Sequence, residues 1–249
     1  MNILIPMAGL GSRFAKAGYE KPKPFIDVAG KTMITRVMEN LHVDGAQFIL
    51  VAQREHLEME AGLVKEIKNQ YDIQFVPIDG LTEGTACTVL FAQDYINNND
   101  PLLIANSDQI VDMEIGDFIK DAQDRSLDGS ILCFRDEKRD PKWSFAKTDT
   151  NGLVTEVKEK EAISDMATVG IYYFSAGKYF VDGAKEMIKL NDRVNGEFYT
   201  CPVYNYLVKR KIRIGTYEIC SHSMHGLGTP SDLNLYLSRN EKTDFDSTN

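Results

Sequence analysis

Asn2-Ile3-Leu4-Ile5-Pro6-Met7-Ala8-Gly9-Leu10-Gly11-Ser12-Arg13-Phe14 decides the fold, because a short apolar run breaks there into two glycines and a charge. Residues 2–6 show no helical period and read as a buried strand. Glycine allows a positive φ and lets backbone approach a ligand closely. Free N–H groups in such a turn make a concave anion site, and Arg13 adds a planar fork suited to phosphate oxygens. Lys21 and Lys23 follow, held between Pro22 and Pro24, which stiffen the segment. Bare amides and three cations have the chemistry to hold a triphosphate. The glycines alone would be read as a turn. No Gly-Lys-Ser/Thr follows them, and the full dinucleotide fingerprint is absent.

Working outward, Gln47–Ala52, Ile73–Ile78 and Pro101–Asn106 read as further strands. Helical stretches are expected over Lys31–Leu41, His56–Gln70 and Gly84–Tyr95. Strands alternating with helices argue for a parallel sheet covered on both faces. Ligands of such sheets gather at the carboxyl ends of strands, where residues 9–13, 79–86 and 106–108 all fall. Beyond Asp140 the texture changes. Trp143–Lys147 and Leu153–Lys158 read as paired strands, and Thr168–Phe174 and Lys211–Tyr217 as two more. Helices are expected over 176–190, 197–209 and 230–239, and Glu241–Asn249 as a polar, frayed tail.

A length of 249 residues suits one α/β domain, and a 43% apolar fraction supplies its core. No run approaches the roughly 18 apolar residues of a membrane span, and no secretory leader is visible. The expectation is a cytoplasmic protein without membrane insertion. Cys87, Cys133, Cys201 and Cys220 lie too far apart for a C-x-x-C site, so buried free thiols are expected. A net charge of −9 disfavours a nucleic-acid partner yet admits a nucleotide substrate, for which a few local cations suffice. Nothing here excludes a homo-oligomer.

Strand, G-x-G-S-R, Lys21-Pro22-Lys23-Pro24 and Ile26-Asp27-Val28-Ala29-Gly30-Lys31-Thr32-Met33 occur in an order that resembles the signature of nucleotidyltransferases making nucleotide sugars. That signature is usually written G-x-G-[ST]-R…K-P…P-V-x-x-K-P-M, and Asp27 and Thr32 stand where it has prolines. The longer series G-L-G-S-R-F…K-P-K-P-F…N-S-D-Q…P-K-W-S…E-K…G-T-P looks most like members associated with bacterial capsule polysaccharide clusters. The resemblance covers about 1–235. It implies a Rossmann-like, mixed but mostly parallel sheet with helices on both faces, of the nucleotidyltransferase or GT-A-like kind. It implies one domain over 1–240, with 1–135 the nucleotide half and 136–240 the acceptor half. The substrates implied are an NTP and a sugar 1-phosphate or other small phosphorylated acceptor.

The resemblance also distributes roles. Arg13 and Lys23 become the catalytic cations. Met7, Ala8, Gly9, Leu10, Gly11, Ser12, Asp79, Gly84, Thr85 and Asn106 become the nucleotide contacts. Lys160 matches the lysine that holds the acceptor phosphate, while Glu159, Gly170, Tyr172 and Glu197 line the acceptor pocket. Asp108 matches the aspartate for Mg²⁺, an ion often held by one or two carboxylates plus substrate phosphates; on spacing alone it could also be a cap or turn residue. Lys158–Glu161 alone reads as a solvated charge run, and Tyr172 and Tyr199 as core aromatics. Asp79 falls where glutamine is common in the base-reading segment. A carboxylate only accepts hydrogen bonds, which favours CTP, then GTP, over UTP or dTTP.

One departure stands out. The usual W-x-D-x-G-T reads Met224-His225-Gly226-Leu227-Gly228-Thr229 here, with Gly226 in place of the second acid. Asp232 is a candidate substitute, or simply an early helix acid, and His222 with His225 forms an isolated pair. Two other classes stay open. A glycosyltransferase would want D-x-D, which Asp108-Gln109-Ile110 breaks. A non-catalytic nucleotide sensor would account for the missing acid.

Overall fold

A computed structural model describes the backbone of residues 1–246 and the side chains of residues 1–239. The opening run forms β1 (Asn2–Pro6), and the glycines turn into a short helix, α1 (Ser12–Lys16). A 3₁₀ turn at Lys23–Phe25 leads into a small ribbon, β2 (Asp27–Val28) with β3 (Lys31–Thr32), and then α2 (Met33–Asn40). The first half continues with β4 (Gln47–Gln53), α3 (Arg54–Met59), α4 (Ala61–Gln70), β5 (Ile73–Ile78), α5 (Thr85–Leu90), α6 (Gln93–Ile96) and β6 (Leu102–Ala105). The second half runs β7 (Gln109–Val111), α7 (Ile115–Asp124), β8 (Gly129–Arg135), β9 (Ser144–Thr148), β10 (Val154–Glu159) and β11 (Met166–Phe174). It closes with α8 (Gly177–Lys189), α9 (Val203–Lys209), β12 (Ile214–Ile219), β13 (Met224–Gly226) and α10 (Pro230–Asp246).

Nine strands make one mixed sheet in the order β10-β9-β11-β6-β1-β4-β5, with β8 and β12 joined through β11. The run β6-β1-β4-β5 is parallel throughout, so its carboxyl ends share one edge. Strand β11 runs antiparallel to β6 and β8, while β12 returns parallel to β8. The register of β11 slips between Thr168 and Tyr172, the kind of bulge that bends a strand beside a site.

Period two divides the core. Ile3, Ile5, Phe48, Leu50 and Leu103 face α2 and α7 on one side of the sheet. Leu4, Ile49, Val51, Leu102 and Ile104 face α5, α8 and α9 on the other. Each fully buried aliphatic of this kind contributes about 1.5–3 kcal/mol, so the sheet is a rigid support for the loops at its edge.

Several expected elements differ. The helix over 56–70 is two, α3 and α4, interrupted at Glu60 with φ −111°. The helix over 84–95 likewise splits into α5 and α6. The helix over 197–209 begins only at Val203, because residues 198–200 bond to residues 83–86 instead. Pro202 then starts the helix, where a missing N–H costs nothing. The helix over 230–239 continues to Asp246, and residues 247–249 lie outside the described residues. Cys133 and Cys201 are buried as expected, but Cys220 is exposed. Among the described residues no helix is long and apolar enough to cross a membrane.

Candidate active site

Strand β1 delivers the glycine loop to the carboxyl edge of the sheet. Met7 N donates to Val51 O at 2.8 Å, and the buried amide of Gln53 donates to Ala8 O at 2.7 Å, so two strands fix where the loop begins. The Met7 side chain is buried, so it packs into the core. The amides of Gly9, Leu10 and Gly11 donate to no group among the described residues. Gly11 has φ +60°, and a Cβ there would lie 2.8 Å from the Cβ of Lys23, so only glycine fits this turn. Phe14, 1% exposed, anchors α1 against the core. Ser12 and Arg13 point outward, and Arg13 has no partner among the described residues.

Lys23 reaches from the 3₁₀ turn, between two prolines, to an ion pair with Asp108 at the end of β6. Their side chains are 17% and 24% exposed, so the pair is largely shielded while keeping an open side. The turn after β13 closes on the same aspartate. Leu227 N donates to Asp108 O at 2.7 Å, and a Cβ at Gly228 would lie 3.1 Å from Asp108 Oδ2. Gly226 sits opposite Gln109 in the β13–β7 ribbon, and open space surrounds the place its Cβ would occupy.

Asp232 does not fill that space. It takes a hydrogen bond from Thr229 Oγ1 at 2.6 Å and returns its own N–H to Thr229 at 3.1 Å, the local pattern of a helix start. His225 Nε2 bonds Asp112 at 2.7 Å, and His222 lies against Cys220, so the two histidines do not converge. Among the described residues no group of three His, Cys, Asp or Glu side chains is placed to hold a metal. One hard carboxylate with an open face fits a Mg²⁺ ion arriving with phosphates, whose oxygens and waters complete the octahedron.

The acceptor candidates gather on the antiparallel side. Asn106 N donates to Gly170 O at 3.0 Å at the bulge in β11, and Asn106 Nδ2 donates to Gln109 Oε1 at 3.2 Å. Glu159 accepts the Ser144 hydroxyl, and burial pushes its carboxyl above the usual range. Lys160, at φ +57°, donates to the Tyr199 phenol oxygen at 2.5 Å and lies 4.6 Å from that ring's centre. The hydrogen bond to Tyr199 favours the charged lysine. Burial raises the Tyr199 phenol, and a bond to Glu197 adds to that shift. Tyr172 is different: it is buried beside Tyr204, with its phenol 3.3 Å from Thr168, so it supports the wall from within.

Asp79 ends β5 with an exposed side chain, and Arg54 Nε donates to its Oδ1 at 2.7 Å. Gly84 and Thr85 act through backbone and packing. Ala86 N donates to Phe198 O at 3.0 Å, and Thr85 Oγ1 accepts from Thr200 N at 3.2 Å. Sequence reasoning missed Gln53, Arg54 and Gln109. Position at the carboxyl end of a parallel strand was the available signal for the first two.

Comparison with known proteins bears on the family and the fold. Residues 3–201 match the family described as nucleotidyl transferase. Mannose-1-phosphate guanylyltransferase catalytic subunit beta of Dictyostelium discoideum is 25% identical over 70% of this chain and 50% of its own. The bifunctional protein GlmU of Methanocaldococcus jannaschii is 26% identical over 98% of this chain and 56% of its own. The chain thus spans about half the length of these two relatives. The crystal structure of a nucleoside-diphosphate-sugar pyrophosphorylase from Vibrio cholerae RC9 superposes with a TM-score of 0.80 at 25% identity, covering 95% of this chain and 99% of that one. The chain belongs to the nucleotidyl transferase family.

Proposed function

We propose that this protein transfers a nucleoside monophosphate from an NTP to a sugar 1-phosphate, with release of pyrophosphate. The observation that carries the reading is the contact chain from Gly11 through Lys23 to Asp108 and Gly228, which gathers phosphate-binding backbone, a cation and a carboxylate at one edge. A phosphate oxygen of the acceptor attacks the α-phosphorus; the new P–O bond forms as the bond to the β-phosphate oxygen breaks, and pyrophosphate leaves with that electron pair. No protein nucleophile is needed, since the acceptor oxygen is already anionic. The residues therefore position groups and neutralise charge.

In this reading Arg13 and the free amides of residues 9–11 hold the leaving phosphates, and Lys23 turns from Asp108 to the α-phosphate. Lys160 holds the acceptor phosphate, while Glu159, Glu197 and the Gly170 backbone face the sugar hydroxyls. Asp108 would carry Mg²⁺, which when bound supplies charge neutralisation at the phosphates. For the base we propose CTP and GTP ahead of UTP and dTTP. Arg54 occupies Oδ1 of Asp79, and the other carboxylate oxygen is left to accept an exocyclic amino proton, which cytosine and guanine carry and uracil and thymine lack. The resemblance to capsule-cluster enzymes supports a role in supplying activated sugars for surface polysaccharide. Pyrophosphate release from each NTP with mannose and glucose 1-phosphates tests the proposal, and dTTP or UTP as the preferred donor would overturn the base assignment.

A further inference from the structure

We infer that Arg193 is a positioning residue that fastens the acceptor-side segment 197–200 to the base-side segment 83–86, so that binding of one substrate sets the geometry met by the other. The inference rests on the proposed transferase reading. It starts from the way Arg193 is tied down. Its Nε donates to Asn191 Oδ1 at 2.6 Å, Nη1 donates to Gly196 O at 2.9 Å, and Nη2 pairs with Glu83. Its guanidinium carbon also lies 4.1 Å from the centre of the Phe198 ring.

A short zipper runs beneath this clasp. Phe198 N donates to Glu83 O at 2.8 Å, and Ala86 N donates to Phe198 O at 3.0 Å. Thr200 donates through both its N–H and its hydroxyl to Thr85 Oγ1, at 3.2 and 3.1 Å. The backbones meet so closely that a Cβ at Gly84 would lie 2.4 Å from Phe198 O. Tyr199, between these anchored residues, is the side chain that holds the Lys160 ammonium. The route from base loop to acceptor lysine is therefore Glu83, Arg193, Phe198, Tyr199, Lys160, with a direct contact at each step. An exposed ion pair alone is worth little. Here the guanidinium fork and the stacked ring add directional contacts, which is where arginine differs from lysine. Coupling carried this way is reciprocal.

The test compares wild type with Arg193→Ala, Arg193→Lys and Glu83→Ala. Hydrogen exchange on the free protein is read at the amides of Ala86, Phe198 and Thr200, and the dissociation constant of GTP or CTP is measured with and without acceptor phosphate. The expected result for Arg193→Ala is faster exchange in both segments and loss of a coupling of about tenfold, within the usual range for linked sites. Acceptor KM should rise more than kcat falls, and Arg193→Lys, which keeps the charge but loses the fork, should recover only part of the loss. Unchanged exchange at Ala86 and Phe198 in Arg193→Ala, or full wild-type coupling in Arg193→Lys, would overturn the inference. If wild type turns over no acceptor, the transferase reading has failed. The exchange data then decide the clasp alone: loosening of both segments supports it, and loosening confined to 193–196 overturns it.

Discussion

Changing Gly11 to alanine probes the contact that joins the glycine loop to Lys23, the lysine proposed to act in catalysis. Two costs combine. The residue sits at φ +60°, ψ 29°, a left-handed conformation costing a non-glycine residue about 1–2 kcal/mol. Its new Cβ would also stand 2.8 Å from Lys23 Cβ, where ordinary contact begins near 3.4 Å. Loop and lysine must therefore part by about 0.6 Å, and the backbone of Lys23, 3.6 Å away, limits how far it can yield. In a chain of this size each kcal/mol moves Tm by about 2–4 °C, so a fall on the order of 5 °C is expected. Misplacement approaching 1 Å costs on the order of 10²-fold in rate, so kcat should drop about 10- to 100-fold. The assay is continuous pyrophosphate release beside a thermal unfolding scan. Wild-type kcat together with wild-type Tm would show that Gly11 does not set the position of Lys23.

Arg13→Ala and Lys23→Ala should each lower kcat/KM by at least about 10²-fold, with Arg13→Ala keeping the wild-type Tm because that side chain has no partner among the described residues; a near-normal rate would remove either residue from the mechanism. Glu159 is raised by burial, so its folded pKa exceeds the unfolded one. Its contribution to stability is complete below the unfolded value and lost as pH rises through the folded value. Glu159→Gln should therefore raise Tm at pH 7–8, lose that advantage toward pH 4, and bind acceptor less well; an equal Tm difference at both pH values would contradict this. A chelator should abolish turnover and added Mg²⁺ restore it. Gly226→Asp, introduced into open space, should lower the Mg²⁺ concentration giving half-maximal rate, and an unchanged requirement would refute a second carboxylate position there.

Much of this was legible where local chemistry and position agree. β1, β4, β5 and β6 announce themselves as apolar runs, and Asp79 and Asp108 follow their ends, so the edge of the sheet could be drawn before any coordinates. The pairing of β9 with β10 was also readable from the turn Asp149-Thr150-Asn151-Gly152 between them. Long-range partnership was not legible. Residues 197–200 carry helix-compatible side chains, yet the N–H groups of Phe198 and Thr200 find Glu83 and Thr85 more than a hundred residues away. The interruption at Glu60 has no proline to mark it, and Gly62, two residues on, lies inside α4. Asp79 read alone is a lone acceptor; only the fold brings Arg54 to it. Asp232 looked available to a metal until Thr229 was seen to hold it.

The most direct test of the central claim is pyrophosphate release with Mg²⁺ from CTP, GTP, UTP, dTTP and ATP. Each would be run against mannose 1-phosphate, glucose 1-phosphate, glycerol phosphate, phosphoserine and choline phosphate. The account predicts turnover with a sugar 1-phosphate, a CTP or GTP donor, and loss of that turnover in Lys23→Ala. Nucleotide binding with no pyrophosphate from any pair, or turnover indifferent to Lys23, would contradict it.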